Sequence, residues 1–292
     1  MKNRTAIISA ILAAALYALN APVSKLLLQG VQPSMMAALL YLGAGLGMLA
    51  MGIIRRAAGK PSAEQHLTRK DWPYTLCMIV LDVLAPIFLM IGITRTTAAN
   101  ASLLNNFEIV ATSLIALLIF KEKISRRLWG AIGLIVLSSA LLTAEDASSL
   151  TFSMGSVFVL LASCCWGLEN NCTRMLSMSA PQEIVIVKGL GSGLGALIVA
   201  FLSGESFPAL RYVPAALLLG FVAYGLSIYF YVYAQRHLGA AKTSAYYAIA
   251  PFIGVLLSLV IFRDWPGWIF FAALAVMIAA TVLVTKDQAE GA

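Results

Sequence analysis

The chain has 292 residues, of which 61% are hydrophobic and 11% charged, against roughly a quarter charged in soluble domains. A water-soluble helical bundle this apolar would present greasy faces to solvent, which excludes that class. The net charge of +7 calls for no nucleic-acid partner, because the basic residues sort by loop.

A bilayer core of about 30 Å takes roughly 20 apolar residues per helix. On that scale the chain predicts ten spans, at 6–28, 34–54, 74–94, 98–120, 128–144, 153–173, 184–203, 214–234, 242–262 and 267–285. The first follows Lys2 and Arg4 and is too long for a signal-peptide core, so it is read as a retained helix. It carries Tyr17, Asn20 and Ser24 at helical spacing. The second holds Gly43-x-x-x-Gly47, a close-packing pattern, and the 55–73 segment after it is the longest loop. The third contains Asp82 and Pro86. The fourth presents Asn105, Glu108 and Thr112 at i, i+3 and i+7, one stripe of a continuous helix. The sixth repeats that pattern with Trp166, Glu169, Asn170 and Thr173. The seventh places Lys188 beside Gly189, Gly191, Gly193 and Gly195. The eighth carries Tyr224, Ser227 and Tyr231, and the ninth Thr243, Tyr246, Tyr247 and Pro251.

With the N-terminus in the cytoplasm, fifteen of the twenty lysines and arginines fall inside, four (Lys25, Arg95, Arg211, Arg263) fall outside, and Lys188 lies within a span. The positive-inside rule therefore predicts a multi-pass protein of the plasma (inner) membrane with both termini cytoplasmic. Trp72, Trp129, Trp265 and Trp268 sit at span ends, as interfacial indoles do, and Trp166 does not. The four cysteines fall inside spans and read as small apolar residues. His66 and His237 fall at loops, no metal cluster or Walker loop is visible, and no cofactor is expected.

Two stretches of the chain repeat. Tyr17-Ala18-Leu19-Asn20 with Ser24-Lys25 matches Trp166-Gly167-Leu168-Glu169 with Thr173-Arg174 at a constant offset of 149. Ile119-Phe120-Lys121-Glu122 matches Ile261-Phe262-Arg263-Asp264 at an offset of 142, and Arg95 matches Arg236 at 141. A duplication is implied, with halves 1–147 and 148–292 of five spans each. An odd number of spans per half inverts the second half in the membrane, and inverted repeats commonly hold a site at their interface.

These residues resemble the drug/metabolite transporter superfamily, in its EamA-type branch: the aromatic-small-x-polar runs of helices one and six, Phe-Lys-Glu-Lys-Ile-Ser at 120–125, and Phe-Arg-Asp at 262–264. Within that branch the chain is most similar in look to the YddG-like aromatic amino acid exporters. The resemblance implies an all-α membrane fold of ten helices in two inverted repeats around a central cavity, walled mainly by helices other than five and ten. It also implies export of a small metabolite, amino acids first; separately, ten helices can enclose a cavity in one chain, so a monomer is expected. Helix four departs from the family pattern, with Asn-Phe-Glu-Ile (106–109) where a proline is typical; helix nine keeps its proline, Pro251.

An ionisable side chain at mid-bilayer costs at least about 2.5–3.5 kcal/mol, so it stays only facing protein, water or substrate. Asp82, Glu108, Glu169 and Lys188 are such groups. With Asn20, Asn105, Asn170, Tyr17, Trp166, Tyr224, Tyr246 and Tyr247 they form the expected cavity lining, and Pro86 and Pro251 are hinge candidates. Asp82 and Lys188 could also pair only to fix packing, and Glu169, near a helix end, is expected to be partly solvated. A carboxylate there would take a substrate ammonium, asparagines a carboxylate, and the rings an apolar side chain; protons are a candidate driving ion. Two other readings stay open: a nucleobase, nucleoside or drug exporter of the same fold, and a non-transporting scaffold or binding protein. No nucleophile–base pair is visible that would argue for an enzyme.

Overall fold

A computed structural model describes residues 2–59, 66–121, 124–145, 154–176, 179–238, 243 and 246–290. The predicted boundary between halves, near 148, lies outside them. The helices are α1 (Lys2–Ala18), α2 (Asn20–Leu27), α3 (Pro33–Ala57), α4 (Trp72–Arg95), α5 (Ala98–Leu104), α6 (Phe107–Phe120) and α7 (Arg126–Glu145). They continue as α8 (Met154–Leu176), α9 (Pro181–Leu202), α10 (Val213–Gly220), α11 (Ser227–Leu238), α12 (Ala250–Phe262) and α13 (Trp268–Glu290). A π-helical stretch, Phe221–Leu226, joins α10 to α11. Among the described residues, seven segments are long and apolar enough to cross a membrane, and Ala250–Phe262 is a shorter apolar helix.

Local chemistry explains where the helices start and break. Pro33, Pro181 and Pro214 open α3, α9 and α10, where a missing N–H costs nothing. Pro22 has no N–H to offer the Ala18 carbonyl four residues earlier, and the chain turns at Leu19, whose N–H bonds the Leu16 carbonyl instead. Two adjacent asparagines, poor helix formers, separate α5 from α6: Asn106 bonds back three residues to Leu103, and Glu108 to Asn105. A second turn, at Ala248–Ile249, precedes α12, and Pro251 is therefore a helix-start residue and not a mid-helix hinge. Pro86 lies inside α4, which continues through it. The repeated Phe-base motif ends its helix in the same way twice, with Lys121 (φ 55°) and Arg263 (φ 52°) in the left-handed conformation.

The helices pair α4 with α8, α3 with α9, α7 with α13, α1 with α11, α6 with α8 and α12 with both α5 and α1. Small residues set the separations. A Cβ on Gly43 would lie 2.1 Å from the Leu217 carbonyl oxygen, and one on Gly220 only 2.0 Å from that of Leu40. Met35, Met36, Leu40, Leu89, Met90, Ile93, Leu103 and Leu104 fill the centre. The outer surface is also apolar, with Ile54, Leu118, Leu202 and Val260 turned outward, as lipid requires. Trp72, Trp129, Trp265 and Trp268 are exposed, and Trp166 is buried in the core.

Candidate functional site

The site is a buried charge cluster between α4, α8 and α9. The Lys188 ammonium lies 3.1 Å from Asp82 Oδ2 and 2.9 Å from Glu169 Oε1. Their side chains are 8%, 0% and 2% exposed. The Tyr41 hydroxyl, from α3, donates to Asp82 Oδ1 at 2.7 Å, and the Thr173 hydroxyl donates to Glu169. Desolvating three charges is tolerable only because each finds an opposite charge and a donor or acceptor. Glu169 is therefore not the partly solvated group its distance from the helix end suggested: its side chain is 2% exposed, and the Lys188 ammonium reaches it from α9.

The next residue on α8 faces the other way. Asn170 Nδ2 donates to Glu108 Oε1 at 2.5 Å and to Thr112 Oγ1 at 3.3 Å, joining α8 to α6. Asn171 adds bonds to the Gly167 and Thr112 carbonyls. The approach is close because Gly167 has no side chain: a Cβ there would meet Ala111 at 2.5 Å. Three carboxylates, Asp82, Glu108 and Glu169, thus share a neighbourhood with a single buried ammonium among the described residues.

An aromatic and amide wall adjoins the charges. Tyr224, on the π-helical stretch, lies 5.1 Å from Tyr41 and 5.9 Å from Tyr17 between ring centres, and Tyr247 lies 6.0 Å from Tyr17 and 5.0 Å from Tyr231. Asn20 Nδ2 donates to the Tyr224 hydroxyl at 2.9 Å, and Ser24 donates to Asn20 Oδ1 at 3.1 Å. A cavity of about 10 Å³, lined by Tyr17, Asn20, Ser102, Asn105, Pro251 and Gly254 among others, opens where α1, α5 and α12 meet. That is room for about one water.

Most residues expected at the site converge there: Asp82, Lys188, Glu169, Glu108, Asn170, Asn20, Tyr17, Tyr224 and Tyr247. Asn105 does not share one helical stripe with Glu108, because the helix breaks between them; Asn105 lines the cavity and Glu108 faces Asn170. Tyr246 points outward, and Trp166 is buried in the same apolar core that holds Tyr41 and Tyr224. Pro86 is buried in α4 one turn beyond Asp82. Sequence reasoning missed Tyr41, whose only signal was a lone phenol in an otherwise apolar span. It also missed two contacts that close the ends: Lys25 Nζ on the carbonyls of Ile93 and Thr96, and the Glu205 carboxylate on the Ser34 and Met35 N–H groups at the start of α3.

Comparison with known proteins carries the reading further. The EamA-like transporter family matches residues 4–144 and 153–286. A protein described as an uncharacterized transporter, from Methanothermobacter thermautotrophicus, is 26% identical over 280 residues, covering 90% of this chain and 81% of that protein. The uncharacterized inner membrane transporter YedA of Escherichia coli is 25% identical over 137 residues, which is 46% of this chain and 45% of YedA. A solved crystal structure superposes with a TM-score of 0.70 at 17% identity, covering 96% of this chain and 95% of that one, a likeness of fold. With a family match over nearly its whole length and several apolar membrane-length helices, the chain is a multi-pass membrane protein that belongs to the EamA-like transporter family.

Proposed function

We propose that the protein is a secondary transporter that exports small metabolites, amino acids foremost and aromatic ones within the YddG-like pattern, by alternating access. It spans the inner membrane ten times as two inverted five-helix halves, 1–147 and 148–292, with both termini in the cytoplasm and the substrate path inside one chain. Several features support that architecture. The helix pairings come in related sets: α1 on α11 answers α8 on α4, and α12 on α1 answers α6 on α8. Helix breaks precede both α6 and α12, and both of those helices end on a left-handed basic residue. The family's two matched stretches part at the expected boundary.

The observation that carries the substrate class is the carboxylate excess around Lys188 beside the tyrosine wall. One ammonium cannot balance three carboxylates, so a further positive charge suits this place. A substrate ammonium supplies it, an apolar or aromatic side chain fits the rings of Tyr17, Tyr224 and Tyr247, and Asn20 or Asn105 can serve a carboxylate. A proton is the other cation that suits, and it would couple transport to the pH gradient. Because the cavity holds about one water, loading requires α1, α5 and α12 to part, which the breaks beside α5 and α12 accommodate.

The test is uptake of radiolabelled amino acids into proteoliposomes, with and without a pH gradient, for the wild type and Glu108→Gln. Saturable uptake that the variant loses is expected. Uptake no greater than in empty liposomes across aromatic and aliphatic amino acids would rule out this substrate class and turn attention to nucleobases and drugs. Normal uptake by Glu108→Gln would make that residue structural.

A further inference from the structure

We propose that Cys77 and Cys172 form a reversible disulfide under peroxide-class oxidants, fastening α4 to α8 beside the charge cluster. Their sulfur atoms lie 3.0 Å apart, and both thiols are free. A disulfide needs about 2.05 Å, so roughly 1 Å of further approach completes the bond. The helices are already aligned for it. Antiparallel α4 and α8 keep one register along their length: the Arg95 backbone touches Gly155, Gly92 touches Val159, and Cys77 touches Cys172. Cys164 and Cys165, the other two cysteines, are exposed and half-buried on α8 and are free thiols among the described residues.

The chemistry balances without further components. One thiol sulfur attacks hydrogen peroxide, forming a sulfenic acid and releasing water; the second thiol attacks that sulfur, forming the S–S bond and releasing a second water. Peroxide gains the two electrons that the sulfurs lose, and both thiol hydrogens end in water. Cys77 stands five residues into α4 and Cys172 four from the end of α8, so both lie near the same membrane face; half-buried Cys77 is the thiol that meets a small neutral oxidant, and buried Cys172 is the one that resolves it. In a reducing cytoplasm such a bond is transient, which suits a sensor and not a structural staple.

The position gives the bond a consequence. Cys77 lies on the helix that carries Asp82, and Cys172 is next to Thr173, which bonds Glu169. The two helices belong to different halves, so the bridge holds the halves together on one side of Lys188. The arrest of transport rests on the transporter reading above; the bond itself does not.

The experiment uses the full chain in nanodiscs with Cys164→Ser and Cys165→Ser, treated with hydrogen peroxide and then dithiothreitol. Intact mass and maleimide labelling after denaturation report the bond, melting reports the fastening, and proteoliposome uptake reports the latch. The expected result is loss of two hydrogens in mass, joint loss of both thiols, a higher melting temperature and lost uptake, all reversed by dithiothreitol. Adding Cys77→Ser or Cys172→Ser abolishes every change. Thiols that stay reducible-labelled after peroxide, or that oxidise singly to sulfinic acid, overturn the proposal, as does a bond that leaves melting and uptake unchanged. If the untreated protein carries no amino acid, the substrate reading fails while mass and melting still decide the bridge.

Discussion

Replacing Lys188 by methionine removes the ammonium from between two buried carboxylates. In the native cluster Lys188 lies 3.1 Å from Asp82 and 2.9 Å from Glu169, and the three side chains are nearly inaccessible. Lys188→Met leaves two uncompensated acids in an apolar interior, and breaking a buried ion pair in this way costs about 3–5 kcal/mol. Asp82→Asn is the milder change. It leaves the Lys188–Glu169 pair intact and keeps an amide oxygen for the Tyr41 hydroxyl, at a cost of about 1–2 kcal/mol. Unfolding entropy of about 2.1 cal/mol/K per residue puts Lys188→Met about 5–8 °C below the wild type in melting temperature, and Asp82→Asn about 2–3 °C below. The double variant should melt above Lys188→Met alone, since one bare carboxylate is gone. Intrinsic tryptophan fluorescence during heating in detergent micelles reads all three, and added salt should move none of them, because the cluster is out of reach of screening ions. Asp82→Asn melting below Lys188→Met, or Lys188→Met within about one degree of wild type, would refute the charge-balance argument.

Two further perturbations test the packing and the ends. Gly43→Ala drives a methyl to 2.1 Å from the Leu217 carbonyl oxygen and should cost about 1–3 kcal/mol or more. Gly133→Ala meets nothing within 4 Å and should be neutral or stabilising by about 0.5–1 kcal/mol; thermal melts of the pair separate crowding from helix propensity. Glu205→Ala removes the acceptor for the Ser34 and Met35 N–H groups, 3.1 and 2.7 Å away, and should cost about 0.5–2 kcal/mol. Hydrogen exchange at those two amides should quicken while the interior of α3 stays protected.

Much of the molecule is local in origin and so legible in sequence. Whether a stretch enters lipid depends on its own apolar length, and an acid or a lysine inside such a stretch is costly wherever its neighbours lie. Composition alone therefore marked the class, and Asp82, Glu108, Glu169 and Lys188 as groups needing a reason to be there. The repeated Phe-base motif was equally local: Ile-Phe followed by a basic residue ended two helices with the same backbone turn. What no single stretch could show was which group meets which. Lys188 sits between Asp82 and Glu169 because α9 packs on α4, α4 packs on α8, and the long lysine side chain reaches past α4 to Glu169. Asn170 reaches Glu108 because Gly167 lets α8 approach α6. Periodicity carried a continuous stripe through Asn105 and Glu108, but the adjacent asparagines break the helix and send the two side chains to different places. It also treated Tyr246 and Tyr247 alike, although neighbouring residues on a helix point about 100° apart and only one turns inward. Helical spacing sets which residues share a face. The rotation of that face about its axis, and the partner it meets, are decided by side-chain bulk on every neighbouring helix at once, and only the tertiary structure holds that sum.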